Sequence, residues 1–430
     1  MKQIIEKNFN KIFILLSFFF FVNAKAQYVS TFAGSTQGFV NGTATTAKFN
    51  WPMGIAIDTE GTIFVVDSAN YVIRKITSAG VVSTFAGSGI GGFADGIASV
   101  AQFNGIDGLA VDTAGNVYVA DTNNHRIRKI SAAGVVSTLA GSTQGYANGT
   151  GTAARFNNPS GVAVDAAGNV FVTDTFNYRI RKITPAGVVS TLAGSGVVGF
   201  ANGSGTAAQF NKTYGIAVND TGSIFVADAL NHRVRKITAS GVVTTFAGSV
   251  YGYANGNGTT AKFSYPYGIT VDATDNVYVT DAEDNRIRKI TIAGMVSTLA
   301  GSGIGGFADG IGTTAQFINP CGVTVDAVGS VFISDATNHR IRKITNSLST
   351  ADYNQNQVLI YPNPVSSIIN IDLGDSIASK VILFDMNGRV MQTENIVNSS
   401  GIEISNLANG MYLMQITTDK GVVYKKIVKK

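Results

Sequence analysis

The pentapeptide Arg126-Ile127-Arg128-Lys129-Ile130 has five near-copies, which end at Ile76, Ile183, Ile237, Ile290 and Ile344. The steps between them are 54, 53, 54, 53 and 54 residues. A period this regular means one supersecondary unit repeated six times, each unit too small to bury a core alone. Around the second copy, Gly108 to Asp112 reads as a short apolar strand, and Thr113-Ala114-Gly115-Asn116 as a turn. Val117 to Ala120 is a second strand closed by Asp121, residues 122–125 turn, Arg126 to Ile130 is a third strand, and Val135 to Ala140 a fourth. Four short antiparallel strands per unit, six times over, predict an all-β chain folded as a six-bladed β-propeller.

The ends predict closure. The fourth-strand motif stands at Val29-Ser30-Thr31-Phe32-Ala33-Gly34-Ser35, before any first strand, and is missing after Ile344. The N-terminal strand therefore completes the sixth blade, which removes the exposed edges of an open array. Between fourth and first strands runs an insertion with two constant aromatic positions. They are Phe39, Phe93, Tyr146, Phe200, Tyr253 and Phe307, then Phe49, Phe103, Phe156, Phe210, Phe263 and Phe317. Constant aromatics predict packed loops, which with the second-to-third-strand turns crown one face of the disc.

The sequence pI of about 9.1 suggests nucleic acid until the charge is divided by region. Residues 1–26 hold four Lys and one Glu, residues 27–350 hold 21 basic and 19 acidic groups, and residues 351–430 seven of each. No region carries the basic excess that nucleic-acid binding demands. Lys2, Lys7 and Lys11, the apolar run at residues 12–22 and Ala24-Lys25-Ala26 read as a secretory signal peptide over residues 1–26. The apolar run is too short to span a bilayer, so no transmembrane segment is expected in the mature chain. Cys321 is the lone cysteine, and stability must come from packing rather than an intrachain disulfide.

The run Gly108 to Asp112, Gly115 to Asp121 and Asn124-His125-Arg126 resembles the NHL repeat. Asn231-His232-Arg233 and Asn338-His339-Arg340 repeat the signature, while Asn70-Tyr71, Asn177-Tyr178 and Asp284-Asn285 depart from it. The resemblance covers residues 27–349. It implies the propeller fold and leaves function open among binding scaffolds, adhesion modules and metal-dependent hydrolases or lyases. After a polar linker at 350–358 come Tyr361-Pro362-Asn363-Pro364, strands near 368–371 and 381–384, Asn387-Gly388-Arg389, residues 407–413 and Lys425-Lys426-Ile427-Val428-Lys429-Lys430. Residues 359–430 thereby resemble the C-terminal sorting domain of type IX secretion substrates, a small β-sandwich. That implies the type IX machinery as partner, and the secreted state or the outer-membrane surface of a Gram-negative bacterium as destination.

Three histidines, His125, His232 and His339, recur on alternate repeats. Each follows a second strand, away from the axis. A ring radius of roughly 10 Å would separate alternate positions by about 17 Å, whereas zinc draws its nitrogens within about 2 Å of one point. The expectation is that each packs its own turn and that no metal or cofactor is bound. The six aspartates Asp67, Asp121, Asp174, Asp228, Asp281 and Asp335 read as turn acceptors or partners of a neighbour's Arg, and the Arg-Lys pairs as stems lying on apolar surface with heads in water.

The repeats differ just before each first-strand glycine, at Met53, Asp107, Ser160, Tyr214, Tyr267 and Cys321. Innermost strands line the central channel, so these six are the candidate ligand-binding residues at its mouth. The favoured reading is a binding scaffold for a glycan, peptide or envelope-protein ligand, without catalysis. The alternatives are a lactonase- or lyase-type enzyme at the channel mouth and a purely structural surface protein. No P-loop, His-Glu-x-x-His or Gly-x-Ser-x-Gly motif is present, and only Asp107 is acidic among the six.

Overall fold

The computed structural model describes residues 27–345, 358–373, 377–385, 389–395, 401–418 and 421–430. The expected leader at 1–26, the linker up to residue 357 and the Asn387-Gly388 pair lie outside the described residues.

Within the second blade, Leu109–Val111, Val117–Asp121, Arg126–Ile130 and Val135–Gly141 pair antiparallel in that order. Residues 122–124 form one 3₁₀ turn, ended by His125 in the left-handed region at φ 56°. Ile127 and Ile130, on opposite faces of the third strand, are both completely buried, because each blade packs on a neighbour on either side. The sheets have five strands, not the expected four. The fifth is a two-residue piece of the insertion: Gly96–Ile97 lies on Val136 and Val135, and each blade repeats the arrangement. It covers the outer edge that a four-stranded blade would leave unpaired.

Closure is direct. Tyr28–Gly34 pairs with Arg340–Thr345, and Gly310–Ile311 adds outside it. Hydrophobic cores sit between blades rather than within them. Phe64, Val66 and Ile73 of the first blade pack with Phe103, Leu109 and Val119 of the second, and Ala33, Phe332 and Ile341 of the sixth pack with Phe49 and Ile55 of the first. At the axis, first strands pack through glycine. A Cβ on Gly54, Gly108, Gly161, Gly215, Gly268 or Gly322 would stand 2.1–2.5 Å from the carbonyl oxygen of Asp107, Ser160, Tyr214, Tyr267, Cys321 or Met53 of the next blade. Those contacts run round the full circle.

The insertion aromatics hold a buried cation. Arg181 is fully buried, its guanidinium between the Tyr146 and Phe156 rings at 4.9 and 5.1 Å. It donates to Asp174 Oδ2 at 2.7 Å, to Asn148 Oδ1 at 2.8 Å and to the carbonyls of Ala147 and Arg155. Arg74, Arg128, Arg235, Arg288 and Arg342 repeat this. The expectation of arginine heads in water is thus overturned for these six: carboxylate, amide and carbonyl oxygens replace the hydration shell. The pairing is also within a blade, seven residues apart, not with a neighbour.

Blade five departs from the pattern. Elsewhere an Asn side chain donates to the strand-closing aspartate, as Asn177 does to Asp174 at 2.9 Å. Asp284 stands there instead and pairs with Arg286 at 2.7 Å. The Arg288–Asp281 contact lengthens to 3.3 Å. Burial, with the nearby Asp284 charge adding to it, pushes the Asp281 carboxyl up to about 7. A carboxyl whose folded pKa lies above its unfolded one costs stability as pH rises from the ordinary carboxylate range through about 7. Asp284→Asn restores a donor and removes the like charge, and is expected to stabilise by about 1 kcal/mol at neutral pH. A lower or unchanged thermal midpoint would contradict it, as would an undiminished loss of stability between pH 5 and 8.

In the C-terminal domain a three-stranded and a four-stranded sheet share one core that includes Ile369, Ile402, Leu383, Met414 and Ile416.

Candidate funnel at the channel mouth

Every first strand except the second blade's begins with a bulge. In blade three Pro159 pairs with Asp174 and Val162 with Val172, so Ser160 and Gly161 are accommodated opposite Thr173 alone. Bulges re-aim side chains, and in those five blades they help turn the residue before the glycine. Asp107, Ser160, Tyr214, Tyr267 and Cys321 line a funnel of about 430 Å³, counting its open mouth. Its floor is the aliphatic ring Ile55, Leu109, Val162, Ile216, Ile269 and Val323. Met53 is not in the lining. It packs against the core between blades one and two.

Tyr267 of blade five donates its hydroxyl to Asp107 Oδ1 of blade two at 2.8 Å. These blades are three apart in a ring of six, so the bond spans the axis. The Tyr214 ring stacks on Tyr267 with centroids 4.5 Å apart and planes 21° apart. Tyr265 donates to the Tyr214 hydroxyl at 3.1 Å. Burial raises the Asp107 carboxyl against the hydrogen bonds of Tyr267 and Ser160. Burial also carries the Tyr267 phenol well above its usual value, with the Asp107 charge as the next cause. The Cys321 thiol is pushed up in the same way; 2% exposed, it points at the Asn319 carbonyl 3.4 Å away. It is poorly placed as a nucleophile.

Sequence reasoning missed Tyr265. Its counterparts Trp51, Asn158, Lys212 and Asn319 take positive φ angles of 60°, 49°, 50° and 51°, and Tyr265 does not. Both the Ser264 and Tyr265 amides donate to Asp281 Oδ1, each at 2.9 Å. The signal available was Tyr265-Pro266-Tyr267, the one copy with aromatics on both sides of the proline.

Residues 103–130, 156–183 and 263–290 match the NHL repeat, residues 34–94 the teneurin NHL domain, and residues 359–430 the secretion system C-terminal sorting domain. The chain is an NHL-repeat propeller followed by a secretion sorting domain.

Curated relatives of this NHL propeller include protein SUPPRESSOR OF QUENCHING 1 of Arabidopsis thaliana, 29% identical over 70% of this chain and 30% of that one. NHL repeat-containing protein 2 of Gallus gallus is 28% identical over 55% of this chain and 38% of that one. The chain thus spans well under half the length of either. Among solved structures, a Bacteroides thetaiotaomicron protein of unknown function is 23% identical at TM-score 0.59, covering 74% of this chain and 76% of that one. An auxiliary nutrient binding protein from the same organism is 16% identical at TM-score 0.58, with the same coverage of 74% and 76%. These likenesses show the fold.

The NHL histidines reach the next blade rather than their own turn. His125 Nδ1 accepts from the Asn158 amide and His339 Nδ1 from the Trp51 amide, both at 3.2 Å, and His232 Nδ1 lies 2.7 Å from the Ser264 carbonyl. They pin the loops that lead into blades three, one and five. Among the described residues no group of three or more His, Cys, Asp or Glu is arranged to hold a metal ion.

Proposed function

We propose that the chain is exported by the type IX machinery through its sorting domain and displays the propeller, secreted or held at the outer membrane, as a binding scaffold. Its ligand, a glycan, a peptide or an envelope protein, sits on the crowned face over the funnel. The observation that carries this reading is the break in symmetry. Six blades share strands, ion pairs and axial glycines, yet the funnel positions hold an acid, a serine, tyrosines and a cysteine. A purely structural disc has no need of that diversity. The auxiliary nutrient binding protein of the same fold supports it. Among the described residues no helix is long and apolar enough to cross a membrane.

Glycan and peptide arrays probed with the chain beginning at Gln27 test the proposal. A ligand is expected whose binding falls at least tenfold on Tyr214→Ala and is unchanged by Asp220→Ala, an exposed site on the opposite face. Binding indifferent to Tyr214, or lost equally with Asp220, would remove the funnel from the function.

A further inference from the structure

We infer that the funnel selects a singly charged ammonium group, the head of an amine or of a lysine-like side chain. This rests on the funnel being the binding site and names the chemistry that it recognises.

The first observation is a charge without a partner. Asp107 lies recessed in the funnel wall, and the groups that act on it are the Tyr267 and Ser160 hydroxyls, with no Lys or Arg among them. The six strand-closing aspartates of the blades are fully buried, more so than the half-buried Asp107, and every one has an arginine within 3.3 Å. The contrast is internal to the molecule: where this fold buries a carboxylate for structure, it supplies the cation. A recessed carboxylate lacking a cation is costly, and a bound cation removes that cost.

The second observation is what surrounds it. Tyr214, Tyr265 and Tyr267 form one cluster, with ring centroids 4.5–6.4 Å apart, and the Asp107 charge bears on all three hydroxyls. Phenol rings attract cations through their faces, and phenol oxygens accept ammonium N–H bonds. Glu283, exposed at the lip, is close enough for its charge to act on Tyr265, and it would draw cations toward the mouth.

Competing ligands fit less well. An anion meets Asp107 and gains no basic partner. A neutral sugar leaves the carboxylate uncompensated. Calcium needs six to eight oxygen ligands with several carboxylates, and the funnel wall offers one. The aliphatic floor stops a charged group from going deeper and sets its position at the level of Asp107.

The test uses the chain from Gln27 with n-butylammonium, tetramethylammonium, n-butanol and calcium chloride, read by saturation-transfer NMR and titration calorimetry. Both ammonium ions are expected to bind one to a chain, and n-butanol at the same concentration is expected not to. Asp107→Asn, which keeps the volume and removes the charge, weakens both at least tenfold. Tyr214→Leu weakens tetramethylammonium most, and decides the matter if the Asp107 variant fails to fold. Equal binding of n-butanol, calcium as the tightest ligand, or ammonium binding unchanged in both variants overturns the inference. An array ligand that needs Tyr214 while neither ammonium ion binds overturns the ammonium assignment and leaves the funnel as the binding site. Failure of both removes both readings.

Discussion

Gly161→Ala is expected to destabilise the propeller by about 3 kcal/mol or more, the upper end of overpacking costs. The new methyl would stand 2.1 Å from the Tyr214 carbonyl oxygen and 3.1 Å from Thr173 Oγ1. Neither is a flexible chain end. The carbonyl is main chain, held by the Thr173 hydroxyl at 2.7 Å, and that same hydroxyl receives the Gly161 amide at 2.6 Å. Relief therefore requires blades three and four to separate at the axis, and a closed ring transmits that shift to all six. The control is Gly151→Ala, where φ is +56° and nothing lies within 4 Å of the new methyl. Its cost is the backbone penalty alone, about 1 kcal/mol. Trp51 is the chain's only tryptophan and lies at the seam of blades six and one, so its fluorescence follows propeller unfolding directly. Equal midpoints for the two variants would show that the axial glycines are replaceable.

Arg181→Met is expected to cost about 3–5 kcal/mol, the range for breaking a buried pair from one side. Asp174 would keep its amide bond from Asn157 at 2.8 Å and its donor Asn177, but lose the Arg181 cation. Burial already raises the Asp174 carboxyl while the Arg181 charge opposes it. Removing the arginine leaves only the Asn157 and Asn177 hydrogen bonds against burial and raises it further. A folded pKa above the unfolded one means stability is retained at low pH and lost as pH rises. The variant should therefore lie closer to the parent at pH 5 than at pH 8. The pair Arg181→Met with Asp174→Asn should recover most of the loss, because the stranded charge is gone. A double variant no better than the single one would place the cost in the lost Tyr146–Phe156 packing instead.

Much of this molecule is legible in its residues. The strand-three pentapeptide at Arg126–Ile130 appears in the structure with the same bounds, and the orphan motif at Val29 does close the ring. The outer fifth strands were hidden because two residues such as Gly96–Ile97 are too few to show alternation. The arginines misled for a different reason. A charged side chain in an alternating strand reads as solvent-facing unless its enclosure is known, and Arg181 is enclosed by Tyr146 and Phe156, 35 and 25 residues upstream, from the loop that leads into its blade. Five of the six positions where the copies differ line the funnel. Met53 was included by register alone, and Tyr265 escaped because its role depends on a local backbone turn.

The repeat period and its phase at the two ends determined the number of blades and the closure, since each unit must bury its face on the next and a ring leaves none uncovered. They could not determine the funnel chemistry. Asp107 and Tyr267 are 160 residues apart, on opposite blades, and nothing periodic relates them. Only the ring geometry brings a lone carboxylate and three phenols to one point without a cation, because the axis is the one place where every blade contributes a side chain within reach of all the others.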